Sequence, residues 1–220
     1  MKKILFLLSI LLLSNSCTGQ DKKEVKSSVH NTRKEIIQID KIVLNKSVDT
    51  ILKDFNLTKN DNYSTTYNLN LDYEEFSFSP DNVFKYDNLS IGKINSLIIY
   101  YLKNDSNAFV YELELENNNN CESLIAEFNK KFGKQVYYKK LENTKKHPIF
   151  LDENGKQETR HITEESIQWN DEKNGSSYYI IYRKNLDSRE NKLTAIVISN
   201  SSKKFAEWKD YRSLNMVFTE

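Results

Sequence analysis

Apolar positions along the chain follow two rhythms. The first is the helical spacing of three and four. Val48, Ile51, Leu52 and Phe55 form one such stripe, with Ser47 placed to cap it. Cys121, Leu124, Ile125, Phe128 and Phe132 form a second, opened by Asn120 and stopped at Gly133, where a residue without Cβ accepts the left-handed end of a helix. Phe205, Trp208 and Tyr211 mark a third, after the Ser-rich stretch 199–202. Helices this short are marginal in isolation and gain stability by covering something. The second rhythm has period two. Phe109, Tyr111, Leu113 and Leu115 alternate with Val110, Glu112, Glu114 and Glu116, which predicts a half-buried strand. Further strands are predicted over 36–44, 94–102, 135–141, 166–169, 177–183 and 193–199. Turns are expected at Asn104-Asp105-Ser106, at Asn154-Gly155 and at Asn174-Gly175, the last a hairpin because Asn and Gly tolerate positive φ. The fold class that follows is α+β, an antiparallel sheet with short amphipathic helices on one face.

The first stripe recurs as Cys121, Leu124, Ile125 and Phe128 at a constant offset of 73. A strand precedes each helix, and strands follow each, ending in 94–102 and 193–199. The later offset is larger, which requires an insertion between about 139 and 164. Two readings stay open: two tandem helix-plus-sheet modules, 35–107 and 108–220, or a coincidence that any α+β chain offers. The first arrangement is similar in architecture to the tandem modules of β-lactamase inhibitor proteins and of small lipoproteins in the outer-membrane barrel-assembly machinery. It departs from the inhibitors in lacking their paired cysteines, and architecture alone says little about function.

The N-terminal segment MKKILFLLSILLLSNSC carries an address. Lys2 and Lys3 precede a short apolar run, Ile4 to Leu13, interrupted by Ser9. Ten helical residues span roughly 15 Å, half a bilayer core, so the pattern is that of a cleavable export signal rather than a span. Leu13-Ser14-Asn15-Ser16-Cys17 resembles the lipobox of bacterial lipoproteins, with Ser14 where that motif usually has Leu. The resemblance implies cleavage after residue 16 and acylation of Cys17; the alternative is ordinary cleavage that releases a soluble protein. Several acyl chains together hold firmly where one binds reversibly. Thr18, where an Asp would mark inner-membrane retention in enteric bacteria, favours the outer membrane of a Gram-negative cell envelope. Residues 17–34 are charged and Ser/Thr-rich and read as a flexible tether, leaving 35–220 as the body.

Composition narrows the classes further. Aromatic residues make up 12 %, which argues against disorder despite a charged fraction of 29 %. Basic and acidic residues balance at 32 and 31, without a basic cluster, so nucleic acid is not an expected partner. With Cys17 acylated, Cys121 has no partner in the chain; a small core residue is its first reading, a thiol nucleophile or an intermolecular disulfide the others. His30, His147 and His161 are too dispersed for a metal or triad signature. Asp152-Glu153-Asn154-Gly155 lacks the acidic residue a calcium loop needs at its last position, which is Thr163. Glu74-Glu75 and Glu164-Glu165 are adjacent strand residues that point to opposite faces and do not converge as acid and base. No phosphate loop or nucleophile elbow is present. No catalytic residue, metal or cofactor is expected.

Tyrosine pairs remain. Tyr100-Tyr101, Tyr137-Tyr138 and Tyr178-Tyr179 each place one ring on either face of a strand. If helices cover one face, the other displays rings, either as a recognition surface or as shielding for strand backbones. The first reading puts Leu97, Ile99 and Ile181 outward, with Tyr101, Tyr179 and Arg183 as partner-binding residues. The function expected is a lipid-anchored envelope protein acting as a non-catalytic binding, assembly or inhibitor-like module on another envelope protein. The alternative is an envelope hydrolase using acidic residues.

Overall fold

A computed structural model describes residues 34–64, 71–117, 119–143 and 161–219. The architecture is α+β with a large antiparallel sheet and a few short helices. β1 (Ile36–Gln38) runs into a 3-10 turn (Ile39–Lys41), and α1 (Val48–Lys53) follows. β2 (Tyr73–Ser77), β3 (Val83–Tyr86), β4 (Leu89–Gly92), β5 (Ser96–Leu102) and β6 (Ala108–Glu116) lead to α2 (Cys121–Phe132). β7 (Tyr137–Asn143), β8 (Ile162–Asp171), β9 (Ser176–Asn185) and β10 (Asn191–Ser199) come next, then α3 (Phe205–Tyr211) and α4 (Leu214–Val217). Seven strands form one antiparallel sheet in the order β2-β5-β6-β10-β9-β8-β7, and β1, β3 and β4 form a small separate one.

Residues directly opposite across a sheet share a face. The row Phe76, Ile99, Tyr111, Val197, Tyr178 and Trp169 therefore lies on one side, and all six are buried. They pack with Val48, Ile51 and Leu52 of α1 and with Cys121, Leu124 and Phe128 of α2, so both helices cover this face. The neighbouring row, Ile98, Glu112, Ile196, Tyr179, Gln168 and Tyr137, lies on the opposite side. There Trp208 of α3 and Leu214 of α4 pack against Tyr100, Phe109, Val110, Tyr179, Ile196 and Ile198. The expectation of helices on one face only is thus corrected. The chain after β10 folds back over the second face, because Trp208 and Leu214 need an apolar surface and β5, β6 and β10 supply it.

Local details also depart from the sequence pattern. Phe109 shares the second face with Val110 instead of alternating with it. The register slips between Tyr100 and Tyr101, and the extra residue on β6 turns a side chain over, as a bulge does. Ser47 and Asn120 occupy the N-cap positions, yet neither side chain caps its helix. Asn120 instead donates to the carbonyls of Ser90 and Ile91 on β4. The β8–β9 hairpin falls at Asn174-Gly175 as expected, with Gly175 at φ 61°. Predicted strand 36–44 contracts to β1, with the 3-10 turn over Ile39–Lys41. Asn154-Gly155, His30, His147 and the segment through Cys17 lie outside the described residues.

Candidate functional site

The three residues expected to form a partner face do not share one. Tyr101 is 5 % exposed, on the face covered by α1 and α2. Its hydroxyl donates to Glu74 Oε2 at 2.9 Å, and Lys59 Nζ stands 4.9 Å from the ring centroid. Burial first, then the Glu74 carboxylate, push its phenol well above the ordinary range. Tyr179 is 1 % exposed on the opposite face, in edge contact with Phe218 at 5.1 Å. Arg183 shares the face of Tyr179, is exposed, and pairs through Nε with Glu164. The strand parity used from sequence fails because both faces are apolar: Leu97, Ile99 and Tyr101 side with Tyr178, Ile180 and Tyr182 in the larger core. Leu97 and Ile99 are fully buried there, so the outward apolar centre is a correction too.

The second face holds a charge inside its aromatic cluster. Trp208 lies 4.6 Å from Tyr100, 5.3 Å from Tyr73 and 5.4 Å from Phe109, between ring centroids. Into this cluster β6 projects Glu112. Arg212 donates to it through Nε at 2.7 Å and Nη2 at 2.5 Å, and Trp208 Nε1 donates at 3.1 Å. Arg212 Nη2 also reaches Tyr100 Oη at 3.3 Å. Burial raises the Glu112 carboxyl pKa, and Arg212, Trp208 and Tyr100 pull it back only in part. With its acceptors engaged by Arg212 and Trp208, Glu112 serves to fix α3 on the sheet. Sequence alternation places it among exposed strand acids, and no local spacing marks its partner, which lies 100 residues away.

Two open clefts share a wall at the end of β6. One, of about 680 Å³, is lined by residues that include Lys93, Asn95, Glu116, Asn117, Asn119 and Asn120. The other, of about 320 Å³, is lined by Arg183, Asn185, Glu190 and Lys192 among others, with Glu116 and Asn117 in common. Glu116 is held between Lys192 Nζ at 3.1 Å and Asn95 Nδ2 at 2.9 Å, and its amide donates to Asn95 Oδ1. Such a rim offers hydrogen bonds, but its amides are tied into the turns that build it. Cys121 is fully buried in the larger core. His161 meets Asp187 at the far end of β8: its amide donates to Oδ2 at 2.7 Å and Nδ1 sits 2.9 Å from Oδ1, which lowers the Asp187 pKa. Among the described residues, no group of three His, Cys, Asp or Glu side chains could hold a metal ion.

The two edges of the large sheet differ in how they end. β2 is closed by the segment before it: Asn62 Nδ2 donates to Glu75 O, the Ser77 amide donates to Asn62 Oδ1, and the Tyr63 amide donates to Ser77 O. β7 pairs with β8 alone among the described residues. Along it Val136, Tyr138 and Leu141 are 57 %, 54 % and 46 % exposed. Apolar side chains of both parities over 136–141 mark a strand in the sequence, and its edge position follows from the sheet order alone. An unpaired strand edge with apolar side chains is a ready template for another strand. No family model matches this chain, and neither does any curated protein or solved structure in a comparison with them.

Proposed function

We propose that this chain is an exported envelope lipoprotein, anchored through Cys17, whose body is a non-catalytic binding and assembly module that recruits an extended segment to β7. The observation that carries the binding reading is the contrast between the sheet edges: β2 is closed by Asn62 and Tyr63, whereas β7 pairs with β8 alone among the described residues and exposes Val136, Tyr138 and Leu141. Strand addition to such an edge gives affinity through main-chain bonds and specificity through alternate side chains. The anchor rests on the basic, apolar and lipobox-like order of the first seventeen residues.

The body is built of two helix-plus-sheet units. Support comes from the sheet order, in which β2-β5-β6 and β10-β9-β8-β7 meet at the antiparallel pair of β6 with β10. Val48, Ile51 and Phe55 are buried, as are their counterparts Cys121, Leu124 and Phe128. On this reading the units divide after β6, near Glu116, rather than at 107.

Metabolic labelling with an alkyne fatty acid tests the anchor: wild type is tagged and Cys17→Ser is not. Chemical cross-linking in intact envelopes tests the surface. Val136→Asp and Tyr138→Lys lose the cross-linked partner while Arg183→Ala keeps it; retention in all three rejects the β7 reading.

A further inference from the structure

We propose that the strand seated on the β7 edge is β7 of a second copy of this chain, antiparallel and centred on Leu141. This deepens the binding reading above and rests on it. In a continuous antiparallel sheet made by two copies, directly opposite residues point to the same side. Only registers centred on a residue meet that requirement; among those centred on 139 to 142 charge decides, and one centred on Tyr138 sets Lys140 opposite Val136 and forms no ion pair. Centring on Lys139 or Lys140 sets two ammonium groups directly against each other, and centring on Glu142 sets two carboxylates. Centring on Leu141 places Lys140 opposite Glu142 of the second copy and Glu142 opposite its Lys140, while Lys139 stands opposite Asn143. Like charges directly opposite are destabilising and opposite ones favourable.

Side-chain geometry suits this register. Lys140 Nζ and Glu142 Oε1 already lie 2.9 Å apart on one side of the strand, so pairing extends a two-charge row to four of alternating sign. Lysine on an edge strand ordinarily repels another strand, and here Glu142 neutralises Lys140. On the other side of the sheet Leu141, 46 % exposed, meets Leu141 of the second copy and is covered. The two seven-stranded sheets then join as one about a two-fold axis. Anchoring both copies to one membrane keeps them at high effective concentration, so a contact of one strand suffices.

The test is disulfide trapping of the full-length protein in its own envelope. Leu141→Cys is expected to give several-fold more cross-linked dimer under mild oxidation than Lys139→Cys, since only position 141 faces its own copy. Cα separations in an antiparallel pair fall in the range a disulfide spans. Introducing Lys140→Glu into the Leu141→Cys protein abolishes the dimer, and adding Glu142→Lys restores it; both side chains are exposed, and because Glu165 on β8 stands opposite position 140, urea denaturation of each variant confirms that it is folded. Equal trapping at 139 and 141, or indifference to charge reversal, overturns self-pairing. If trapping fails while Tyr138→Lys still loses a heterologous cross-linked partner, self-pairing is wrong and the binding reading stands. If trapping fails and that partner is also unaffected, both fall.

Discussion

Arg212 reaches back 100 residues to Glu112 and closes on its carboxylate at 2.5 Å, joining the last helical segments to the middle of the sheet. The Glu112 side chain is 14 % exposed and that of Arg212 32 %, so both charges are largely out of water. Removing one partner leaves the other buried and uncompensated, which costs about 3–5 kcal/mol for a fully buried pair and somewhat less here. Arg212→Leu is expected to destabilise by about 2–3 kcal/mol on that scale, and Glu112→Leu/Arg212→Leu by clearly less. Urea denaturation of the two variants against wild type measures this. A double variant no better than the single would mean the pair is a net source of stability.

Acidity acts on Glu112 and Asp187 with opposite sign. Burial raises Glu112, so the folded state holds its proton more tightly than the unfolded state; stability from this group falls as pH rises from the unfolded to the folded value. His161 lowers Asp187, so its stability is present above the unfolded value and lost as pH falls through the folded one. Carboxyl-selective NMR titration should show Asp187 titrating below, and Glu112 above, the ordinary values for their residue types. Both midpoints on the same side would contradict the geometry of one site.

Where the alternation had a wet side, the sequence was readable. The β6 run Leu113 to Glu116 alternates in and out as its pattern says, and α2 buries Cys121, Leu124 and Phe128 as its stripe says. Legibility failed where both sides of a strand are covered. Tyr178 and Tyr179 are both buried, one under α2 and one under Phe218, so no choice of parity distinguishes inside from outside. β3 and β4 leave no mark in the sequence because four residues each, Val83–Tyr86 and Leu89–Gly92, give too few alternations for a period. Of the candidate surface, the Tyr137-Tyr138 pair is visible in the sequence and the edge position of its strand among the described residues is not, since that depends on pairing between distant segments.

Tyr179 and Arg183 should therefore respond in opposite ways to truncation. Tyr179→Ala removes a ring that is 1 % exposed, a loss expected at about 3 kcal/mol or more. Tyr101→Phe keeps the packing and deletes the hydrogen bond to Glu74, worth about 1 kcal/mol or slightly more. Arg183→Ala, on an exposed ion pair, stays within about 0.5 kcal/mol of wild type. Thermal or urea unfolding ranks the three. A mild Tyr179→Ala would put that ring on an open surface after all.

Phe128 joins the two sheets, which makes it the sharpest test of the larger core. Its ring lies 4.8 Å from Tyr86 on β3, and 5.8 Å and 5.7 Å from Trp169 and Tyr178 on the large sheet. Phe128→Ala leaves a cavity that neither sheet can close by itself, at an expected cost of about 3–5 kcal/mol. Phe128→Leu retains most of the volume and should lose markedly less. Near-ultraviolet circular dichroism should change in the alanine variant, because Trp169 and two tyrosines lose a shared neighbour. An alanine variant as stable as the leucine one would place Phe128 outside the core.

Gly133 ends α2 with φ 75° and ψ −140°, not in the left-handed helical region that the sequence suggested. Its amide still donates to Asn129 O, so the helix closes, but the chain leaves in a direction open in practice to glycine alone. A Cβ at this position would meet nothing within 4 Å, so any penalty is backbone strain rather than collision. Gly133→Ala should therefore cost about 1–3 kcal/mol. Asparagine is the discriminating substitution. It tolerates the left-handed helical region and would rescue an ordinary helix-ending turn, yet it has no advantage at ψ −140°. Gly133→Asn is expected to be about as unstable as Gly133→Ala in urea denaturation. Recovery by asparagine to near wild-type stability would show that α2 ends in the left-handed turn instead.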